Sequence, residues 1–365
     1  MQKDLHDFLQ LYHNFILARS SLCQLLERFD GNPRLILQHN VATLRAAGLD
    51  QKTISRIRAP RNRQVDADLE WAQRAGNHLV CYNDHHFPEL LRQIPDYPVL
   101  LYASGNPDLL CNPQIAIVGS RNCTPGGAQN AFDFAAQSAL SGLVVTSGLA
   151  LGIDAAAHRG ALSVAAGTIA VVGTGLDRVY PPGNRKLAAE ITERGLLVSE
   201  FPFGTPARPA NFPQRNRIIS GLAIATLVVE AAKRSGSLIT ARLAAEQGRE
   251  VFAVPGSIHN PQAGGCHQLI RDGATLIETA HDIGVELGSL FDFTQQQTST
   301  ARAKDSASLD GEQRSLLDSI GYDPVHCDLL VLRSGLTIDK LSSMLVELEL
   351  NEFIQSAPGG CYVRI

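Results

Sequence analysis

The chain has 365 residues, 44% of them hydrophobic and 19% charged, with a formal net charge of -4. It is long enough for two or three domains, and it has no apolar run that could cross a bilayer. Its start, "MQKDLHDFLQ", lacks the apolar stretch of a signal peptide, so the expectation is a cytoplasmic protein with no membrane partner. Seven cysteines (23, 81, 111, 123, 266, 327 and 361) are scattered and never form a C-x-x-C pair, which points to reduced thiols and not to a disulfide framework or a structural zinc site.

Residues 1–110 carry 12 basic and 12 acidic side chains, residues 111–280 carry 14 and 11, and residues 281–365 carry 6 and 13. A polyanion is therefore expected on the middle segment and not on the acidic C-terminal one. Up to about residue 70 the apolar residues recur three or four apart, as in "SLCQLLERFDGNPRLILQ", which predicts a small helical domain over 1–70. Within it, "LRAAGLDQKTISRIR" has the helix, glycine turn and helix of a helix-hairpin-helix or SAM-like unit. Its lack of net positive charge favours packing over DNA contact.

Residues 72–290 change pattern. "HLVCYND" and "PVLLYASG" read as strands ahead of a main run of "IAIVGS", "LVVTSG", "TIAVVGTG", "GLLVSEF", "ATLVVEA", "EVFAVPG" and "ATLIE", separated by helical stretches. Continuous Val, Ile and Leu mark strands buried on both faces. Strands of this kind joined by helices give the fold class: α/β, an extended Rossmann-like, doubly wound parallel sheet. Residues 291–310, rich in Ser, Thr, Gln and Ala, read as a flexible linker. Residues 311–365 read as three helices and a β-ribbon turning at "APGG", the layout of a winged helix, whose acidity argues for a protein partner or a structural role.

In a doubly wound sheet, the loops after the strand C-termini line the ligand crevice. Here they include Gly119-Ser120-Arg121, Ser147-Gly148, Gly173-Thr174-Gly175, Phe201-Pro202-Phe203-Gly204 and Lys233-Arg234-Ser235. Small residues let backbone N–H groups approach an anion, and the helices that follow aim their positive ends at it. Thr124-Pro125 supplies an N-cap and a first-turn proline. Turn glycines occur in any α/β fold; what favours phosphates is the cations on the same loops, Arg121, Arg185, Lys186, Arg215, Arg217, Lys233 and Arg234. Phe201, Phe203 and Phe212 are either core residues or stacking platforms for unpaired bases, which tolerate any sequence.

Absences narrow the ligand. The sequence contains no G-x-G-x-x-G after the first core strand, no P-loop and no G-x-S-x-G elbow, so no nucleotide cofactor is expected. His259, Cys266 and His267 lack a further ligand at metal spacing, so no metal is expected, and His158 reads as a packing or phosphate-contact residue.

"IAIVGSRNCTPGG", "VTSGLALGIDAAAHRGAL", "GTIAVVGTGLDRVYPPGNRKL", "SEFPFGTPARPANFPQRNRIISGL", "VVEAAKRSGSLITARLAAEQGREVFAVPGS" and "HQLIRDGATLI" resemble, in this order, blocks of the DNA processing protein DprA (Smf) family, over about residues 80–285. The resemblance implies a homodimer that binds single-stranded DNA without sequence preference, loads the RecA recombinase onto it and protects incoming DNA in natural transformation, with no enzymatic activity. It also implies DNA contacts at Gly119, Ser120 and Arg121, at Arg215, Asn216 and Arg217, and at Arg185 and Lys186. Many members carry Asn where this chain has His267, which is given no role. Two alternatives stay open: a nucleotide phosphoribohydrolase of the lysine-decarboxylase-like type, for which Glu230 precedes the glycine and is misplaced, and a non-catalytic protein adaptor. The expected DNA site is thus Gly119, Ser120, Arg121, Ser147, Gly148, Arg185, Lys186, Phe203, Arg215, Asn216, Arg217, Lys233 and Ser235, with both Arg121 and Arg217 exposed in an open groove.

Overall fold

The computed structural model describes residues 2–15, 19–60, 63–288, 309–322, 324–351, 353–357 and 359–364. All but the last two residues of the expected 291–310 linker lie outside the described residues.

The N-terminal helices are Gln2–Asn14, Arg19–Arg28, Pro33–Gln38, Val41–Ala46, Gln51–Ile57 and Gln64–Ala72. Asn32, Asn40 and Asp50 start three of them, each side chain accepting from backbone N–H groups of the first turn. The hairpin read from "LRAAGLDQKTISRIR" is present, turning through Gly48 at φ +79°. These helices bury Phe8, Tyr12, Phe15, Leu26 and Leu44 against Leu100 and Tyr102 of the sheet. A buried polar knot ties the junction: the Asp68 carboxylate meets His13 Nε2 at 2.7 Å and accepts from the Tyr102 hydroxyl at 2.6 Å.

The strands of the large sheet are β1 (Asn77–Cys81), β2 (Leu100–Gly105), β3 (Gln114–Val118), β4 (Val144–Ser147), β5 (Thr168–Val171), β6 (Leu196–Ser199), β7 (Ala225–Val228), β8 (Glu250–Ala253) and β9 (Thr275–Leu276). Their spatial order is β1-β2-β6-β5-β4-β3-β7-β8-β9. From β6 to β9 every pairing is parallel; β1 and β2 add an antiparallel ribbon at one edge. The winding is double because successive residues face opposite ways. Ile115 and Ile117 pack beneath helices Pro125–Leu140 and Ile153–Ser163, and Ala116 and Val118 beneath Asn211–Leu222 and Ser237–Glu246.

The chain runs outward from β3 through β4, β5 and β6, then returns to place β7 on the other side of β3. This reversal is the topological switch point, where the loops after β3 and β7 diverge and leave a crevice beyond the strand ends.

The C-terminal part folds as helices Gly311–Ile320, Cys327–Ser334 and Ile338–Leu350 with β10 (Val325–His326), β11 (Ile354–Ala357) and β12 (Cys361–Arg364). Leu316, Leu317, Leu330, Leu341, Leu345 and Leu348 form its core. Among the described residues, no helix is long and apolar enough to cross a membrane.

Candidate nucleic-acid interface

At the switch point lies a cleft of about 650 Å³ lined by Gly119, Ser120 and Arg121 from one side and Ser235, Gly236 and Ser237 from the other, with Phe212, Arg215 and Asn216 between them. The first turn, "GSRN", is held from below. Ser120 N–H donates to the Glu230 carbonyl at 2.7 Å, and the Ser120 hydroxyl accepts from Asn122 N–H at 3.2 Å. Arg121 is exposed, its guanidinium carbon 5.5 Å from the centre of the Phe212 ring. Phe212 also meets Tyr180 at 5.5 Å, so these two rings form an aromatic wall of the cleft.

The helix Pro125–Leu140 begins as the sequence requires, with Thr124 accepting from Gly127 N–H. Its positive end does not face an external anion, however. The Glu230 carboxylate accepts from Thr124 N–H at 2.9 Å and from the Thr124 hydroxyl at 2.6 Å, and a Cβ on Gly127 would collide with that carboxylate. Glu230 thus occupies the place where a dinucleotide-binding fold seats a pyrophosphate. The next helix, Ile153–Ser163, has no side-chain cap, and Asp154 in its first turn accepts from Ala150 N–H of the preceding loop at 3.2 Å. At the start of helix Ser237–Glu246, Gly236 likewise supplies no side-chain cap, and this helix end opens on the cleft.

The structure places several of the expected contact residues below the surface, and it overturns the expected exposure of Arg217. Arg215 is 4% exposed, and its Nη1 donates to the Gly148 carbonyl at 2.6 Å and to the Val171 carbonyl. Burial pushes this guanidinium down to about 10, with Asp154 opposing the shift and Arg121 adding to it; burial in turn pushes the Asp154 carboxyl upward against the opposing charge of Arg215. Arg215 is the floor of the cleft and not a projecting clamp. Gly148 is its seat, since any Cβ there would strike the guanidinium. Ser147 is fully buried and donates to the Ile117 carbonyl at 2.6 Å, so Ser147 and Gly148 support Arg215 from within.

Arg217, expected in an open groove, is 7% exposed and faces away from the cleft lining. Its Nη2 meets both Glu200 carboxylate oxygens at 2.6 and 2.7 Å, and Nε pairs with Asp96 at 3.2 Å. Phe203 packs on Trp71 at 4.8 Å and Tyr102 at 5.6 Å, joining the helical part to the sheet, and Phe201 is core. Of the three phenylalanines only Phe212 reaches the cleft. The sequence reading missed Tyr180, whose signal was an aromatic beside the "PPGNRK" turn.

The remaining cations stay at the surface. Arg185 lines an adjoining recess of about 440 Å³ that shares Tyr180 with the cleft. Lys186, Lys233 and Arg234 are exposed, and the Lys233 stem lies along Gly264. Asn216 lines the cleft near the Gly236 carbonyl, and Ser235 shares a 2.6 Å hydrogen bond with Ser237. His158 is buried against Thr168 at 2.9 Å, a packing residue, and His267 meets the Gly256 carbonyl at 2.9 Å.

The family model for DNA recombination-mediator protein A matches residues 78–288, which is the sheet and the cleft, and a DprA winged helix domain model matches residues 300–360. The chain belongs to the DNA recombination-mediator protein A family. It is 38% identical to protein Smf of Escherichia coli K12 over 329 residues, covering 89% of this chain and 87% of that protein. The X-ray structure of DNA processing protein A from Streptococcus pneumoniae superposes with a TM-score of 0.67 at 36% identity, over 76% of this chain and 96% of that one. A Helicobacter pylori DNA processing protein A, described for its single-stranded DNA binding mode, gives a TM-score of 0.53 at 30% identity over 57% of this chain and 95% of that one. The family match covers all the residues that line the crevice.

Proposed function

We propose that the protein binds single-stranded DNA without sequence preference across the strand-end cleft and loads the RecA recombinase onto it, acting as a homodimer in the cytoplasm and protecting incoming DNA in natural transformation. The observation that carries this reading is the pairing of exposed cations with the Phe212–Tyr180 wall. Arg121 lines the cleft and Arg185 its recess, Lys186, Lys233 and Arg234 are exposed beside the residues that line them, and among the described residues none of the five has a carboxylate partner. Uncompensated exposed cations release DNA counterions on binding, and an aromatic wall stacks a base without reading it. Arg121 offers a forked donor to a phosphate, while Gly119, Ser120, Asn216 and Ser235 present small polar surface beside it.

The non-catalytic reading is supported by the engagement of the acids. Asp154 is the carboxylate lining the cleft, and it is held by Arg215 and Ala150 N–H; Glu230 is spent on Thr124. A phosphoribohydrolase needs a carboxylate free to reach a sugar.

Fluorescence anisotropy with a labelled single strand, a matched blunt duplex and a salt series tests the proposal. Tight single-strand binding that weakens as salt rises is expected. Equal affinity for the duplex overturns it.

A further inference from the structure

Outside the cleft lining, the turn after β1 carries "NDHHF" (residues 83–87), and the short helical turn Pro107–Cys111 after β2 lies against it. Three nitrogen groups crowd one oxygen here. Asp84 Oδ1 accepts from His86 N–H at 3.0 Å and stands 2.9 Å from His85 Nδ1 and 3.5 Å from His86 Nδ1. A carboxylate oxygen has about two lone-pair sites, so it does not satisfy all three well. The same spacing suits a metal. Ligand atoms about 2.0–2.2 Å from a tetrahedral zinc ion stand roughly 3.3–3.6 Å apart, and the Asp84, His85 and His86 ligand atoms all lie within 4.8 Å of one another.

The second observation comes from the other turn. If His86 uses Nδ1 for a cation, its remaining nitrogen needs an acceptor, and His86 Nε2 lies 3.1 Å from Asp108 Oδ1. A carboxylate on the distal nitrogen of a ligating imidazole fixes its tautomer and orientation. Cys111, at the end of the same turn, donates to the His85 carbonyl at 3.6 Å, and burial together with Asp108 and Asp84 pushes its thiol up.

We propose that Asp84, His85 and His86 bind a zinc-class divalent cation, with Asp108 orienting His86 and with water in the fourth position. Two imidazoles and one carboxylate match zinc, cobalt or nickel better than magnesium or calcium, which prefer all-oxygen shells. The cation would bridge the turns that follow β1 and β2. It stands apart from the DNA cleft and is independent of the reading given there.

The test uses the untagged full-length protein, stripped with chelator and titrated with zinc chloride by calorimetry, with thermal melts in parallel. A second group, His326, Cys327 and Asp328, also brings three ligand atoms together. The titrations are therefore run in a His326→Asn background, because asparagine retains the N-cap role that His326 plays toward Asp328 N–H. One zinc per chain and a melting temperature that rises with zinc are expected. Asp84→Asn keeps the acceptor for His86 N–H but drops the charge, and it and His86→Gln should each weaken zinc binding at least about tenfold. Asp108→Asn should weaken it about tenfold. The exposed His259→Gln should leave it unchanged. No zinc uptake by the background protein overturns the proposal. So does unaltered affinity in Asp84→Asn and His86→Gln proteins whose metal-free melting temperatures match the background.

Discussion

Arg121, in the turn after β3, is exposed and meets no carboxylate among the described residues, whereas Arg217, two turns into helix Asn211–Leu222, is 7% exposed and grips both oxygens of Glu200. In sequence the two segments look alike, "GSRN" and "RNR", each an arginine beside an asparagine. The difference lies in what each charge finds. A guanidinium taken out of water has to be paired, and once paired it has no field left for a polyanion. An arginine on an open loop keeps its charge available and gains from a phosphate what it did not gain from the fold.

The sharpest way to break this contrast is to remove the buried pair. Arg217→Ala leaves Glu200 buried and uncompensated, and the expected cost is about 3–5 kcal/mol of stability. Urea denaturation should show this loss while single-strand affinity per folded molecule stays near wild type. Unchanged stability with a large loss of DNA affinity would place Arg217 on the DNA side after all.

A second test lies beneath Arg215. Burial, with Arg215 and Arg159 adding to it, pushes His158 down to about 3 from an ordinary value near 6.5. The unfolded chain therefore takes up the proton first as pH falls. Stability is unaffected by this group above about pH 6.5, and it is lost progressively between that pH and about 3, by up to several kcal/mol. Replacing His158 by Asn should move the acid unfolding midpoint, followed by circular dichroism, to lower pH.

Arg121→Ala should weaken single-strand binding by about 1–3 kcal/mol and flatten the salt slope by about one counterion, equally for poly-T and mixed sequence. Lysine should rescue only in part, since it lacks the planar fork. Here the melting temperature should barely move, the reverse of the Arg217 result. Phe212→Leu keeps apolar bulk but removes the π-face, and it should cost about 1 kcal/mol of affinity by anisotropy. The smallest effect is expected from truncation after residue 288, which removes the acidic region and should leave most single-strand affinity in place.

The cleft itself was legible from loop chemistry, because glycine and serine after β-strands and Thr124-Pro125 at a helix start are local signals with local causes. Which of its phenylalanines served the cleft was not legible. Phe203 and Phe212 stand nine positions apart in one loop-to-helix stretch, and only the docking of Trp71 and Tyr102 decides that the first is packed and the second is not. Glu230 shows the same limit. Its position before a glycine-containing loop marked it as misplaced for a catalytic acid, but nothing in its neighbourhood announced that it would accept from Thr124, 106 residues earlier.

The sequence by itself determined the strands, the double winding, the Thr124 helix cap, the charge contrast between middle and end, and the membership of the family, because each rests on short-range pattern or composition. Tertiary structure alone decided which cations are spent and which are free. Strand order brings β3 beside β7 and so sets Glu230 on the start of helix Pro125–Leu140, while helix Asn211–Leu222, packed across β3, β4 and β5, sets Arg215 under Gly148 and Arg217 against Glu200. Pairing across tens of residues depends on where the chain places an opposite charge, and a linear motif does not carry that information.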